Sequence, residues 1–280
     1  MLSILVVNWN TRDFLDRCLA SIKLNPPETP FEVIVVDNNS SDGSAEMVRA
    51  KYPWVALTAS EKNLGYAEGN NLACEHARGG FLLTLNPDTE ISNGALETAL
   101  TVLSENPSYG ALGCKLVGSD GKTQRSVRGF PSFWGMLAMF VGLDRLNPTY
   151  ALPSFDYEKE QPAPQPMGTF LLFRREAIEL IGDPKRPFDP QFPIFFNEVD
   201  LLKRLLDAGW PCLYTPRAHI LHHGGESTKQ VRKNMIWESH RSAVRYFRKH
   251  KGIVVAVLFA LFAYPAAFVR AKGVYAGFRG

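Results

Sequence analysis

Three clusters of amide and acidic side chains each follow an apolar run, and their residue types could bind a polar ligand or a metal ion. The clusters are Asn8-Trp9-Asn10, Asp37-Asn38-Asn39-Ser40 and Asn86-Pro87-Asp88. Hard divalent cations prefer oxygen ligands, so Asp88 is a candidate metal ligand, with a simple turn as the alternative. Asp37 could accept hydrogen bonds from a base or a ribose, although it could instead cap the following helix.

A fourth acidic cluster lies far along the chain, where Glu198 and Asp200 are flanked by apolar residues on both sides. Burial in apolar surroundings raises the pKa of a carboxyl group and suits it to act as a general base. Either acid could serve in that role. The alternative is that one of them, Asp200 before Glu198, merely caps the helix predicted from Leu201 to Ala208.

Two further segments carry residue types that bind ligands. His222-His223 offers imidazole nitrogens that could complete a metal site or contact a diphosphate. A glycine-containing loop enters a predicted helix, and it contains Asn63, Gly65, Tyr66 and Asn70. Its glycines would let a nucleotide approach the backbone closely, and a helix N-terminus favours phosphate.

The apolar runs that precede the first clusters are typical of strands covered on both faces. We predict strands over Leu2–Val7, Phe31–Val36, Trp54–Thr58 and Phe81–Leu85. Because helical stretches alternate with these strands, the pattern predicts βαβ units, and hence an α/β fold with a mainly parallel central sheet flanked by helices. Ligands bind beyond the carboxyl ends of the strands in such sheets, which is where the polar clusters lie.

The bulk composition excludes several classes of protein. With 280 residues, 45% of them hydrophobic, the chain is long enough for a substantial globular core. A net charge of +3 gives no indication of nucleic-acid binding.

The four cysteines are widely spaced without a CxxC pair, so we expect buried thiols in a reducing compartment. The first ten residues lack a basic region and a cleavage site, so we expect a first strand and not a signal peptide.

The region from Ser126 to Pro166 is rich in proline, glycine and aromatic residues and shows little periodicity. A long irregular stretch within a domain is typical of a binding loop or lid, and we predict one here.

The C-terminal residues pair a basic segment with an apolar one. Between Lys229 and Lys251 there are eight Lys or Arg residues and one acid, and the pattern predicts a basic amphipathic helix from Gln230 to His250. The apolar stretch Ile253–Val269 would reach about 25 Å as a helix, short of the about 30 Å of a bilayer core. We predict peripheral or monotopic attachment to a membrane surface through residues 229–269, with a core helix as the alternative.

Seven segments in order resemble the family 2 glycosyltransferases, in particular the bacterial rhamnosyltransferase-like branch. They are VVNWN, VVDNNSSDGS, NLGYAEGNN, LLTLNPD, GTFLLFRREAI, FFNEVDLLKR and HHGGES. The resemblance implies a GT-A fold, a divalent cation (Mg²⁺ or Mn²⁺) and inversion at the anomeric carbon. We divide the chain into a GT-A domain at 1–228, with a nucleotide-sugar-binding half at 1–110 and an acceptor and catalytic half at 111–228, and a C-terminal segment at 229–280.

The resemblance also implies roles for individual residues. Asp88 stands where the family has its metal-binding DxD-like motif, and His222 matches the motif histidine. Glu198 would be the catalytic base with Asp200 as the fallback, although the family usually carries Asp in place of Glu198 and Glu in place of Asn197. Arg125 and Arg128 lie in a segment like the SxRxxP segment of rhamnosyltransferases. The predicted nucleotide-sugar-binding residues are Asn8, Asn10, Asp37, Asn39, Asn63, Gly65, Tyr66, Asn70, Asn86, Arg125 and Arg128.

The expected function is transfer of a sugar to a saccharide or lipid-linked saccharide acceptor, for cell-envelope polysaccharide assembly at the cytoplasmic face of the plasma membrane. The resemblance favours L-rhamnose from dTDP-rhamnose as the donor. A non-catalytic nucleotide-sugar-binding subunit of a glycan assembly complex is the alternative. A nucleotidyltransferase or a methyltransferase would be expected to have a glycine-rich loop after the first strand, where this chain has Asn8-Trp9-Asn10-Thr11.

Overall fold

The structure is a computed structural model that describes residues 1–143, 148–224 and 232–273. Its strands are β1 Leu2–Asn8, β2 Phe31–Asp37, β3 Ala56–Ala59, β4 Phe81–Leu85, β5 Thr89–Ile91, β6 Ala111–Val117, β7 Val127–Arg128, β8 Gln161–Pro162, β9 Gln165–Pro166, β10 Phe170–Arg174 and β11 Cys212–His222. Its helices are α1 Arg12–Leu24, α2 Ser44–Lys51, α3 Gly65–His76, α4 Ala95–Glu105, α5 Phe133–Phe140, α6 Pro148–Ala151, α7 Arg175–Glu179, α8 Asn197–Asp207, α9 Arg232–Lys251 and α10 Ile253–Ala271.

One large sheet organises the described residues, in the strand order β3-β2-β1-β4-β10-β6-β11-β5 with β8 on β11. The strands β1 to β4 are mutually parallel, and β6 and β11 run in the same direction. The strands β10, β5 and β8 run in the opposite direction. The predicted α/β class with a mostly parallel sheet flanked by helices is therefore confirmed.

Helices cover both faces of this sheet, which explains why its central strands are mostly apolar. In β1, Ile4 and Val6 face a core cluster that includes residues of α1, α2 and α4. The alternate residues Leu5 and Val7 face a second cluster that includes α3, α7 and α8. Since side chains alternate along a strand, burial on both faces favours apolar residues at most positions in the strand and polar residues at its carboxyl end.

A third core cluster joins the C-terminal helices to the rest of the fold. Phe259 of α10 contacts Phe133 and Phe140 of α5, with ring centroids 5.5 and 5.9 Å apart. Tyr246 of α9 contacts Phe196, which directly precedes α8, at 5.6 Å. The region in which we predicted an irregular lid thus contains an apolar helix. Its sequence FWGMLAMF contains no charged or strongly polar residue, so it shows no amphipathic periodicity. The helix nevertheless packs on α10 and leaves Trp134 73% exposed.

The boundaries of other elements differ from the predicted ones by a few residues. The third strand begins at Ala56, since Trp54 lies in the turn that follows α2. The predicted start of the basic helix at Gln230 and the end of the HHGGES segment lie outside the described residues.

Candidate active site

The carboxyl ends of β1 and β2 bring the first two polar clusters together, because Asn8 and Asp37 are paired in register. Asn8 Nδ2 donates to Asp37 Oδ1 at 2.9 Å, and the backbone N–H of Ser40 donates to Asp37 Oδ2 at 3.0 Å. Asp37 does not cap α2, since Asp42 accepts from the backbone N–H of Ser44. Asn8 is fully buried, so its side chain orients Asp37 and does not face a ligand.

Two asparagines form the rim of this sheet edge. Asn10 and Asn39 both adopt left-handed backbone conformations, with φ of 50° and 63°, which asparagine tolerates better than most residues. Asn10 Oδ1 accepts from the backbone N–H of Ser41 at 2.8 Å, and Asn39 is exposed. A hydrogen bond therefore joins the loops after β1 and β2, and Asn39 lies at the surface.

The N-terminus of α3 is occupied by protein, and our expectation that it binds phosphate is wrong. The backbone N–H groups of Tyr66 and Ala67 donate to the carbonyl oxygen of Pro193 at 2.6 and 3.1 Å. Gly65 has φ of +79°, and a Cβ there would lie 2.9 Å from that same oxygen. The glycine thus serves the approach of the Pro193 loop, while Asn63 Oδ1 accepts from the Gly65 N–H.

Asp88 and His222 meet at the same edge of the sheet. Their nearest side-chain atoms, Asp88 Oδ1 and His222 Nε2, lie 3.6 Å apart, and both side chains are 7% exposed. Gln124 orients the imidazole, because its Oε1 lies 2.7 Å from Nδ1 and its Nε2 donates to the His222 carbonyl oxygen at 3.0 Å. No motif or spacing in the sequence indicates Gln124. The neighbouring His223 turns away and lies 2.8 Å from Glu90 Oε1.

Asp88 and His222 are spaced as two ligands of one metal ion would be. Two ligands that each lie about 2.1 Å from one ion can be up to about 4.2 Å apart, and the observed 3.6 Å falls within that limit. Within the described ranges, Asp88 and His222 are not joined into a group of three or more metal-binding side chains. A cation held here would need further oxygen ligands, which a diphosphate can supply.

Glu198 lies in the first turn of α8 and is partly exposed. A Cβ built on Gly168 would lie 3.5 Å from Glu198 Cδ, so the glycine leaves room for the carboxyl group. Tyr66 Oη donates to the carbonyl oxygen of Gly168 at 3.1 Å. Burial raises the pKa of Glu198 to about 7, although backbone hydrogen bonds of Glu198 and Val199 act against that shift. A carboxyl group with this pKa matches what a general base needs near neutral pH.

The charges at Glu198 and Asp88 both act on one tyrosine. Burial raises the pKa of Tyr66, and the carboxylates of Glu198 and Asp88 raise it further. Tyr66 is bonded to the next turn of its helix, where Asn70 Nδ2 donates to its carbonyl oxygen at 2.9 Å. Tyr66 hence lies near both the candidate base and the candidate metal ligand.

Asp200 has surroundings that differ from those of Glu198. Its carboxylate is 0% exposed and accepts from Arg204 Nε at 2.9 Å, while His250 Nε2 and Lys249 Nζ lie 2.8 and 2.7 Å from Oδ1. Burial pushes the pKa of Asp200 up, but the His250 hydrogen bond, Arg204 and Lys249 outweigh it, so the pKa is lowered. Neither predicted role fits: the first residue before α8 is Phe196, which makes no side-chain cap, and a carboxylate enclosed by three basic groups is a poor base.

The remaining candidates lie around the same centre. The Asn86 N–H donates to the Thr169 carbonyl oxygen at 3.0 Å, next to Gly168. The Met167 N–H donates to the Ser126 carbonyl oxygen at 2.8 Å, which places the exposed Arg125 and partly buried Arg128 on an adjoining segment. Arg128 Nη1 donates to the carbonyl oxygen of Arg125 at 2.9 Å. The loops after β4, before β7 and before β10 therefore meet beside Glu198.

Comparison with protein families gives a match to the model of glycosyl transferase family 2 over residues 3–182. The chain belongs to this family. It is 30% identical over 270 residues to N-acetylglucosaminyl-diphospho-decaprenol L-rhamnosyltransferase of Mycobacterium tuberculosis, a match that covers 90% of this chain and 86% of that protein. It is also 27% identical over 243 residues to the O-antigen biosynthesis protein RfbC of Myxococcus xanthus, covering 80% of this chain and 17% of the relative.

Solved structures show the same fold as this glycosyltransferase. The mannosyltransferase PcManGT of Pyrobaculum calidifontis, in complex with GDP-Man and Mn²⁺, matches with a TM-score of 0.61 and 20% identity over 99% of this chain and 76% of that one. GalNAc-T7 with UDP, GalNAc and Mn²⁺ matches with a TM-score of 0.60 and 16% identity over 80% of this chain and 44% of that one. The predicted GT-A fold is confirmed.

Proposed function

We propose that this glycosyltransferase is an inverting, metal-dependent enzyme in which Glu198 is the catalytic base. The observation that carries the proposal is the placement of the Glu198 carboxyl group, whose pKa burial raises to about 7, beside Tyr66, which also lies near Asp88. A base poised near neutral pH and a candidate cation site thus share one edge of the sheet. Asp200 is excluded from the role of base because its charge is already neutralised by basic groups.

The proposed reaction is a single displacement. The Glu198 carboxylate takes the proton of an acceptor hydroxyl, and the hydroxyl oxygen forms a bond to the anomeric carbon of the donor sugar. The bond from that carbon to the nucleoside diphosphate breaks, and the diphosphate leaves with the electron pair. Attack from the face opposite the leaving group inverts the configuration at that carbon.

Asp88 and His222 are the residues that would hold a divalent cation, Mg²⁺ or Mn²⁺. A bound cation supplies positive charge to the diphosphate as its negative charge grows. Gln124 fixes the imidazole so that Nε2 faces Asp88, which is how outer residues commonly orient metal-binding histidines. The solved structures of this fold that contain Mn²⁺ together with a nucleotide support the use of a divalent cation.

The proposed donor is dTDP-L-rhamnose and the proposed acceptor is a saccharide linked to a lipid through a diphosphate. The support is the relative whose name specifies L-rhamnosyl transfer to N-acetylglucosaminyl-diphospho-decaprenol, since the alignment covers most of both chains. For the nucleoside we propose contacts at the β1 and β2 ends, around Asp37 and Asn39. Arg125 and Arg128 are proposed to contact the donor diphosphate or the acceptor. The place of this reaction is cell-envelope glycan synthesis.

Thermal stabilisation by nucleotide-sugars tests the donor. We expect dTDP-L-rhamnose with Mn²⁺, at about 100 times its Kd, to raise the melting temperature by about 5 °C. UDP-glucose and GDP-mannose at the same concentration are expected to raise it less, and a chelator should remove most of the shift. A larger shift with either of those donors would contradict the choice of dTDP-rhamnose.

The membrane is the proposed partner of the C-terminal helices. Among the described residues, α10 is the helix long and apolar enough to cross a bilayer, with a mean hydropathy of 2.2. One face of α10 packs on α5 and α9, whereas its other face presents exposed apolar side chains. These are Ile253, Val254, Val257, Leu258, Leu261, Phe262, Tyr264, Phe268 and Val269. We propose that α10 lies on the membrane, because crossing it would strip the packed face from the domain.

The cytoplasmic leaflet of the plasma membrane is the proposed location. The exposed basic residues Arg241, Arg248 and Lys251 of α9 would favour its anionic lipids. All four cysteines are buried free thiols, which fits a reducing compartment.

Charged substitutions on the exposed face of α10 test this partner without disturbing the core. We expect Val257→Glu with Leu261→Glu, at positions 53% and 64% exposed, to weaken binding to vesicles of anionic lipid by at least about tenfold. Leu24→Glu with Leu180→Glu is the matched control, at positions 80% and 68% exposed elsewhere on the molecule. Equal vesicle binding by the two double variants, measured by co-sedimentation, would contradict the proposal.

A further inference from the structure

The last residues of α9 contact the helix that carries Glu198. His250 Nε2 lies 2.8 Å and Lys249 Nζ lies 2.7 Å from Asp200 Oδ1, two residues after Glu198 in α8. Asp200 is completely buried and the His250 side chain is 9% exposed. Because Glu198, and not Asp200, is the proposed base, the contacts of Lys249 and His250 with Asp200 have a role other than proton transfer.

Lys249 also holds the loop that leads into α8. Its Nζ lies 2.7 Å from Asp189 Oδ2 and 5.6 Å from the centroid of the Phe192 ring. One ammonium group therefore joins the first turn of α8 to the segment about ten residues before it. The loop between them ends at Phe196, whose φ of 67° is a left-handed conformation that a bulky residue rarely adopts. Contacts on both sides of that residue offset the conformational cost.

The same loop reaches the other side of the site. The Pro193 carbonyl oxygen accepts from the N–H groups of Tyr66 and Ala67, and Tyr66 Oη donates to Gly168, which packs on Glu198. These contacts connect in a ring. Lys249 contacts the 189–193 loop, which contacts Tyr66, and Tyr66 contacts Gly168, which packs on Glu198. Asp200, two residues after Glu198, contacts Lys249. Contacts from Gly168 and from Asp200 therefore hold Glu198 in place, and residues of α9 complete this ring of contacts.

We propose that Lys249 and His250 are positioning residues for the catalytic base. They fix the first turn of α8 and the loop before it, so that the Glu198 carboxylate meets the acceptor hydroxyl in the orientation needed for proton transfer. The role rests on the proposed function of Glu198 as base. The C-terminal helices thereby form part of the active site's support in addition to their proposed contact with the membrane.

Positioning of a base changes turnover more than donor binding. We expect the Lys249→Met, His250→Ala double variant to lower kcat about tenfold while the KM for the nucleotide-sugar stays within about twofold, because the proposed donor contacts lie on other loops. Lys249→Arg and His250→Gln keep a donor to Asp200, and each is expected to retain most of kcat. Lys23→Met with Arg49→Met, at exposed positions on α1 and α2, is the matched control and should leave kcat unchanged.

The experiment is steady-state kinetics of these variants in the full chain, with melting temperatures and with Glu198→Gln assayed in parallel. A fall in kcat at constant KM that Lys249→Arg and His250→Gln rescue supports the proposal. An unchanged kcat, or parallel losses of kcat, donor affinity and melting temperature without rescue, overturns it. If Glu198→Gln keeps full turnover, the assignment of the base has failed. If Glu198→Gln is inactive while the double variant is fully active, only the positioning role has failed.

Discussion

Replacing Glu198 with glutamine is expected to lower kcat by about 10²- to 10⁴-fold, the usual contribution of a general base. Glutamine keeps the length and most of the volume of the side chain but cannot accept a proton from the acceptor hydroxyl. Donor binding, measured by titration calorimetry with the nucleotide-sugar and Mn²⁺, should stay within about twofold of the wild-type value, because the base acts only on the acceptor. Asp200→Asn is expected to behave differently from Glu198→Gln. It removes a buried charge partner, so its main expected effect is a lower stability of the fold.

The pH dependence of the wild-type enzyme is a control on the same assignment. The pKa of Glu198 is raised to about 7, so its carboxyl group is neutral at pH 5 and ionised at pH 9. Only the ionised form is a base. Turnover at saturating substrates should therefore rise with pH, reach half its maximum near pH 7 and level off about one pH unit higher, and the rising limb should be absent from the residual activity of Glu198→Gln. A wild-type rate that is already constant between pH 5 and 6 would contradict the raised pKa.

Replacing Asp88 with alanine is expected to weaken Mn²⁺-dependent binding of the nucleoside diphosphate by about 100-fold, equivalent to about 2.7 kcal/mol. The variant loses the carboxylate that faces His222 Nε2 at 3.6 Å. His222→Gln should weaken binding in the same direction. Binding can be measured by calorimetry with and without a chelator, and turnover should fall with it.

His223→Gln is the matched control for the proposed metal site. His223 is adjacent in sequence but pairs with Glu90, so its replacement should leave Mn²⁺-dependent binding unchanged. An Asp88→Ala variant that binds the nucleotide as tightly as the wild type, with the same response to chelator, would rule out Asp88 as the cation ligand.

The sheet edge was predictable from sequence because local patterns specify it. Each of the strands β1, β2 and β4 is a mostly apolar run that amide and acidic residues end or follow, and parallel strands bring those ends to one edge. The choice of Glu198 over its neighbour required the family resemblance. In three dimensions the two acids differ clearly, since one is partly exposed and the other is neutralised by Arg204, Lys249 and His250.

What the sequence could not provide were contacts between distant segments. The Pro193 loop occupies the N-terminus of α3, so a glycine that looked suited to phosphate serves backbone packing. Gln124 orients His222 from a segment without periodicity. Two partners of Asp200, Lys249 and His250, come from α9, where they are two among many basic residues. Such contacts depend on tertiary packing, and no spacing along the chain reports them.

The central claim is that this chain transfers a sugar with inversion. The most direct test incubates the purified protein with dTDP-L-rhamnose, Mn²⁺ and a polyprenyl-diphospho-N-acetylglucosamine acceptor, and determines the product's anomeric configuration by NMR. We predict a disaccharide linked in the configuration opposite to that of the donor. A product with retained configuration, or tight donor binding with no product, would contradict it, and the second result would instead favour a non-catalytic nucleotide-sugar-binding subunit.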